Sequence, residues 1–135
     1  MPRTHEDIED FIMRSEISAT EAAPGTWLLQ DESWGGAQIV VQHTDPLLVF
    51  RCKLFDLPEM PVEAEATLFR RMLQLNATDM VQGAYAIEGT AVVVVEVLQV
   101  ENLDENEFMA AVDSLTMAIV EHHDDLSALL PSAQA

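Results

Sequence analysis

The sequence has little positive charge. Of its 135 residues only 6 are Lys or Arg, against 24 Asp or Glu, so the formal net charge is −18 at pH 7. Nucleic acids and anionic membranes are bound through clusters of basic side chains. The composition therefore argues against both as partners. It is compatible with a basic partner, with high solubility or with a salty environment.

Cysteine and long apolar runs are also scarce. Cys52 is the single cysteine, so the chain can form neither an internal disulfide nor a cysteine metal cluster. No apolar run reaches the roughly 18 residues that a membrane helix needs. The first ten residues, MPRTHEDIED, lack the pattern of a signal peptide, and we expect a cytoplasmic protein. The length predicts a single domain, residues 1–135, long enough for a hydrophobic core.

The most apolar stretch of the chain is AVVVVEVLQV, residues 91–100. It shows almost no alternation, which is typical of a central strand that is covered on both faces. We expect Val93, Val95 and Val97 to be buried, together with Leu115 and Ile119 from the helix that follows. What covers the second face of this strand is the main functional question.

Periodicity and turn residues predict an α+β fold with the order α-β-β-β-α-β-β-α. The five strands are expected to form one antiparallel sheet with the helices packed on it, because tight turns join neighbouring strands. The last helix has the clearest pattern, with apolar residues at alternating spacings of four and three. The predicted helices cover residues 4–18, 61–76 and 104–130, and the predicted strands cover residues 26–30, 37–43, 47–55, 84–88 and 91–100.

The middle helix carries an apolar stripe that is too wide for one sheet face to cover. Its members are Leu68, Phe69, Met72 and Leu73. A surplus of apolar surface on a helix is typical of a contact with another chain. We therefore expect a two-fold homodimer with these four residues in or beside the interface.

A second candidate surface lies in the first half of the chain. Trp34 falls in the polar turn DESWGG, residues 31–36, where no neighbour in sequence can cover its indole. An exposed tryptophan in such a turn is typical of a surface that a partner buries. We predict that Trp34, with Trp27 and Ile39 on the adjacent strands, receives a segment of a partner protein. For Trp27 alone, a place in the core is favoured about two to one.

The residue types that carry chemistry do not form a recognisable site. His122 and His123 are adjacent on a helix and point about 100° apart, so they do not converge on a metal ion. Cys52 alternates with Phe50 and Leu54, which favours a buried thiol. We predict no catalytic residue, no metal ligand and no cofactor. The alternative is an enzyme or small-ligand protein, which would need a cleft between sheet and helices holding two or more titratable groups.

The second half of the chain resembles a known family. The segments LQLN, YAIEGTAVVVVEVL and ENLDENEFMAAVDSLTMAIVEHHDDL, between residues 73 and 130, resemble type III secretion chaperones of the Tir chaperone (CesT) type and the YbjN-like bacterial proteins. The resemblance implies a small acidic chaperone-like fold and a middle helix at a dimer interface. It implies a protein partner, for instance a secreted effector. The family has no catalytic motif to carry over, so the resemblance implies a non-catalytic protein-binding module.

Overall fold

The computed structural model describes residues 3–80 and 82–131. These residues form an α+β fold with three helices and a six-stranded antiparallel sheet, which confirms the predicted class and adds one strand to the predicted five. The helices are α1 (His5–Ser15), α2 (Val62–Thr78) and α3 (Glu105–Ser127), and the strands are β1 (Ser18–Ala23), β2 (Thr26–Gln30), β3 (Gln38–Thr44), β4 (Leu47–Asp56), β5 (Ala84–Glu88) and β6 (Ala91–Gln99).

The additional strand, β1, lies where the sequence predicts the end of the first helix. Helix α1 stops early because Glu16 adopts a left-handed conformation with φ 61°. The next residues, SATEAA, have low strand propensity and are exposed on both sides. Pairing with β2 holds them in a strand, and Pro24 and Gly25 form the turn between the two. The prediction of one continuous helix to residue 18 is therefore wrong.

The sheet has the order β1-β2-β3-β4-β6-β5, so β6 lies between β4 and the edge strand β5. Every neighbouring pair is antiparallel. Cross-strand partners share a face of the sheet, and the register therefore assigns each side chain to one of two faces. Phe50 lies opposite Val41, and Cys52 lies opposite both Ile39 and Val94. These five residues consequently lie on the same face.

This face is covered by the helices, and we call it the covered face. The ring of Phe50 lies 5.4 Å from that of Phe108 in α3, and Phe108 lies 5.9 Å from Phe11 in α1. The first and last helices each begin with a capping box, at Thr4 and Asp7 in α1 and at Asp104 and Glu107 in α3. The main core lies between this face and the three helices.

The burial of the central strand is only partly as expected. Val92 and Val94 are fully buried on the covered face, and Leu115 and Ile119 of α3 are buried against it, as predicted for the helix. Val93, Val95 and Val97 point to the other face. Val93 is buried but lies outside the main core, Val95 is half-buried, and Val97 is 45% exposed. The prediction that Val95 and Val97 are deeply buried is wrong.

Candidate protein-binding surfaces

The second face of the sheet carries apolar side chains that no helix covers within the described part of the chain. We call it the open face. Its apolar residues come from four neighbouring strands and do not belong to the main core: Leu28, Val40, Val49, Val95 and Val97. Most of them are half-buried by their own neighbours in the sheet. The open face is therefore an apolar sheet surface available to another chain.

One ion pair shields the part of the open face nearest β5. Arg51 lies opposite Val95, and Glu88 lies opposite Ala91, so the two side chains flank Val93. Arg51 Nε lies 3.1 Å from a carboxylate oxygen of Glu88. The aliphatic stem of an arginine can cover an apolar neighbour while its guanidinium remains in water. This arrangement accounts for the burial of Val93 on a face that is otherwise open.

Helix α2 has two apolar sides, and the predicted dimer residues divide between them. Leu68 and Met72, which were predicted in or beside the dimer interface, are buried against the protein's own core. Phe69 and Leu73 lie on the outer side, where Leu73 is 68% exposed. The outer side forms a shallow groove, which we call the α2 groove, lined by Ala66, Phe69, Arg70, Leu73, Gln74 and Ala77.

The three predicted partner-binding residues of the first half are all buried. Trp27 and Ile39 lie on the covered face in the main core. Trp34 is 6% exposed, because the short 3-10 turn that carries it (Glu32–Trp34) packs against α3. The prediction of an open indole is wrong, since a helix distant in sequence covers it. None of the three side chains is therefore exposed on the surface of the free protein.

The edge of Trp34 nevertheless lines a cavity, which we call the Trp34 cavity. Its volume is about 540 Å³, and it lies between the 3-10 turn, strands β3 and β4, and the end of α3. The lining includes three titratable side chains, Lys53, His123 and Asp124. A cleft with two or more titratable groups is what the enzymatic alternative requires.

The geometry of these groups does not resemble a catalytic relay. Nδ1 of His123 lies 3.5 Å from Asp124 Oδ1 and 3.5 Å from Ser127 Oγ. A serine–histidine–aspartate relay needs the carboxylate on one ring nitrogen and the hydroxyl on the other. Both neighbours of His123 instead approach the same nitrogen. The ammonium of Lys53 forms a salt bridge with Asp56 at 3.2 Å.

Comparison with known proteins assigns the fold. The CesT_Tir_1 family model matches residues 1–131. The chain belongs to the CesT_Tir_1 family. Comparison with curated proteins found no match. Among solved structures, the ExoU–SpcU heterodimeric complex of the type III secretion system of Pseudomonas aeruginosa contains a similar chain, with 18% identity, a TM-score of 0.65, and coverage of 91% of this chain and 97% of that one.

A second similar structure is YbjN from E. coli, described as a putative transcription regulator. It has 14% identity and a TM-score of 0.65, and the match covers 91% of this chain and 93% of that one. At these identities the two structures show a shared fold. They confirm the resemblance to secretion chaperones and YbjN-like proteins on which the sequence analysis relied.

Away from these surfaces, a hydrogen-bonded network runs from the buried Tyr85 and His122 to Asp79, whose side chain is 47% exposed. The hydroxyl of Tyr85 lies 2.7 Å from Nδ1 of His122, and Nε2 of His122 lies 3.1 Å from a carboxylate oxygen of Asp79. Hydrogen bonds from Thr78 and then His122 lower the pKa of Asp79. Tyr85 belongs to β5, His122 belongs to α3, and Asp79 ends α2. The hydrogen-bonded network therefore joins these three elements. His122 thus has a structural role at the rim of the core.

Two further histidines, His5 and His43, lie next to each other. His5 and His43 approach each other with their Nδ1 atoms 2.6 Å apart, so one ring donates a hydrogen bond to the other. Desolvation and then the proximity of His5 lower the pKa of His43. Within residues 3–80 and 82–131, no group of three or more His, Cys, Asp or Glu side chains is arranged to hold a metal ion. In the same ranges, no helix is long and apolar enough to cross a membrane.

The sequence pattern placed Phe69 and Leu73 of α2 at an interface, but it did not reveal the open face or show that the outer side of α2 is a separate stripe. The α2 signal was present, since Val62, Ala66, Phe69, Leu73 and Ala77 recur at spacings of four, three, four and four. These residues form a second stripe beside the buried one at Leu68, Met72 and Leu75. The open face left a weaker signal, because a continuous run of valines does not reveal which residues share a face.

Proposed function

We propose that this member of the CesT_Tir_1 family is a non-catalytic, chaperone-like module that holds an extended segment of a partner protein on apolar surface. The observation that carries the proposal is the open face, where apolar side chains from four adjacent strands lie outside the core. Covering such surface contributes roughly 25 cal/mol per Å² towards association, before the costs of ordering both chains. The net charge of −18 keeps the unoccupied module soluble.

The comparisons support a protein as the partner. One structural neighbour is part of a heterodimeric complex, ExoU–SpcU, in a type III secretion system. By analogy, the partner we propose is a second protein, with a secreted effector as the first candidate, met in the cytoplasm. The acidic surface disfavours nucleic acid and anionic membrane as competing partners.

Site-specific photo-cross-linking tests the proposed function. A benzoylphenylalanine placed at Val97 in the open face should form an adduct with a partner protein in cells of the native host. The matched control is the same probe at Met13, which is also an exposed apolar residue but lies on α1. A distinct adduct from position 97 alone supports the proposal. No adduct from position 97, or the same set of adducts from both positions, contradicts it.

The α2 groove supports a second part of the proposal, a homodimer. Large residues (Phe69, Leu73) and small ones (Ala66, Ala77) follow each other along the groove at helical spacing. In a two-fold pairing of antiparallel helices centred on this stretch, Phe69 of one copy lies opposite Leu73 of the other, and the alanines at both ends let the two helices approach closely. Phe69 and Leu73 would then be buried in the dimer, while Leu68 and Met72 remain in each protomer's own core.

Sedimentation measurements on two charge variants test the homodimer. The wild-type protein should sediment with twice the chain mass at micromolar concentration, and Leu73→Glu should sediment as a folded monomer. Met117→Glu is the matched control, because Met117 is 56% exposed but lies on α3, away from the α2 groove. A monomeric wild-type protein, or a Leu73→Glu variant that remains dimeric, contradicts this part of the proposal.

A further inference from the structure

Two depressions adjoin each other at Gly36 and Ala37. The first is the Trp34 cavity. The second has a volume of about 430 Å³ and lies between the start of β1, the end of β2 and the 3-10 turn. Both are lined by Gly36 and Ala37, so they lie next to each other, and we call the two together the glycine groove. It leads from the edge strand of the sheet to the end of α3.

The centre of the glycine groove has no side chain above it. Gly36 has φ 88°, a left-handed conformation that favours glycine, and no atom lies within 4 Å of the position that a Cβ would take. Gly35 beside it is equally open. The backbone of a passing chain can therefore come close to the protein backbone here. This feature suits an extended peptide better than a bulky compact ligand.

Carboxylates outnumber lysines among the charged side chains that line the groove. Asp31 and Glu32 line one part and Asp124 lines the other. Hydrogen bonds from the hydroxyl and the backbone N–H of Ser33 lower the pKa of Asp31, so its carboxylate is ionised at neutral pH. The basic residues that line the described part of the groove are Lys53 and His123, and the ammonium of Lys53 is held by Asp56. The groove therefore complements positive charge.

The Trp34 end of the groove adds an apolar wall. Trp34, Leu54 and Ile119 line its inner part, and Val120, which is 62% exposed, lines its rim. Its volume lies within the range of about 300–1,000 Å³ that is typical of pockets for small ligands. A large aliphatic or aromatic side chain of a bound segment fits such a space. Its burial against Trp34 would anchor the segment while the charged residues set its orientation.

We propose that the glycine groove binds an extended, positively charged segment of a partner protein, with one large apolar side chain seated in the Trp34 cavity. This inference rests on the proposed function, because it names the chemistry of the segment that the module holds. It gives the acidity of the protein a specific role: the carboxylates beside the groove select a basic segment over an acidic one. Selection by charge acts on the association rate and on specificity more than on affinity alone.

Titration with two synthetic peptides, followed by ¹H–¹⁵N NMR, tests the inference. The probes are the acetylated and amidated peptides KSLKFKSLK and ESLEFESLE, which differ only in having Lys or Glu at the same four positions. The basic peptide should shift the indole N–H signal of Trp34 and the backbone amide of Gly36. The acidic peptide should bind at least about tenfold more weakly, since like charges beside the groove oppose it.

Two lysine substitutions on α3 serve as a matched pair. Val120→Lys adds a positive charge and removes apolar surface at the rim of the groove, and should weaken binding of the basic peptide about tenfold. Met117→Lys makes the same charge change on the same helix at a residue that lies outside the groove lining, and should change the affinity less than about twofold. Both residues are exposed, so both variants should fold.

The outcomes separate this inference from the proposed function. Equal binding of both peptides, equal effects of the two lysine variants, or no shift at Gly36 and Trp34 overturns the glycine groove. Shifts confined to Leu28, Val49, Val95 and Val97 of the open face overturn the groove but leave the binding module intact; Val40 is not used because it also lines the Trp34 cavity. The proposed function is tested separately by the photo-cross-linking experiment, which does not involve the groove. The absence of an adduct at Val97 would contradict it.

Discussion

The two faces of the sheet have similar apolar residues and opposite surroundings. On the covered face, Phe50, Val92 and Val94 are fully buried beneath the helices. On the open face of the same strands, Val49 and Val95 are half-buried, and Val97 is 45% exposed. Strand β6 thus has apolar side chains on both sides, but the described chain supplies a helix layer for only one of them.

This difference separates stability from binding. Side chains on the covered face exclude water on folding and should account for most of the free energy of unfolding. Side chains on the open face gain little on folding, because they remain partly in contact with water. An apolar face that contributes little to folding is consistent with a surface that a second chain covers. The predictions below test this division, from the largest effect to the smallest.

The covered face should respond most strongly to truncation. Phe108→Ala removes a fully buried ring that contacts both Phe50 and Phe11, and should lower the free energy of unfolding by about 3–5 kcal/mol. Urea denaturation followed by circular dichroism measures the loss. On the open face, Val97→Ala should cost less than about 1 kcal/mol. Similar losses for the two variants would show that the faces do not differ in the way described.

Loss of the hydrogen-bonded network of Tyr85, His122 and Asp79 should lower the free energy of unfolding by an intermediate amount. His122→Ala leaves the buried hydroxyl of Tyr85 without its 2.7 Å hydrogen-bond partner. The expected loss is about 1–3 kcal/mol in free energy of unfolding, because a buried polar group without a partner keeps its desolvation penalty. The adjacent His123→Ala is the control, since His123 is half-buried and its polar contacts are long. A loss for His123→Ala as large as for His122→Ala would contradict this assignment.

Cys52 tests the covered face without altering the sequence. Burial raises the pKa of its thiol from 9.0 to about 12. The thiol should therefore react with a disulfide reagent at pH 8 far more slowly in the native protein than in urea. Because the folded-state pKa is raised, the contribution of the thiol to stability is complete below pH 9 and is lost as the pH rises towards 12. Equal rates of labelling in native and denatured protein would show an open thiol.

How much of the fold could be predicted from the sequence depended on how clear the apolar pattern of each element is. Patterns with a clear period gave the correct elements, as for α3, where apolar spacing predicted the helix and the burial of Leu115 and Ile119. The valine run of β6 has no alternation, so the wrong set of valines was assigned to the core. Which set faces inward is decided by partners on β4 and β5, for instance Cys52 and Tyr85 opposite Val94.

The errors at the candidate site have a related cause. Trp34 was expected in solvent because its sequence neighbours are polar, but α3, far along the chain, packs against its turn. Strand β1 was missed because alanine and serine favour it little and only pairing with β2 stabilises it. Long-range contacts decided both cases. The stripe on α2 was recognised as too wide. The sequence did not show that Leu68 belongs to the buried side of the helix and Phe69 to the outer side.

The central claim is that the open face binds a partner without contributing much to folding. The most direct measurement compares Val97→Lys with the wild type, both in capture of the partner identified by cross-linking and in urea denaturation. The account predicts about tenfold weaker capture, together with a change in free energy of unfolding of less than about 1 kcal/mol. Unchanged capture by a normally folded Val97→Lys protein would contradict the claim.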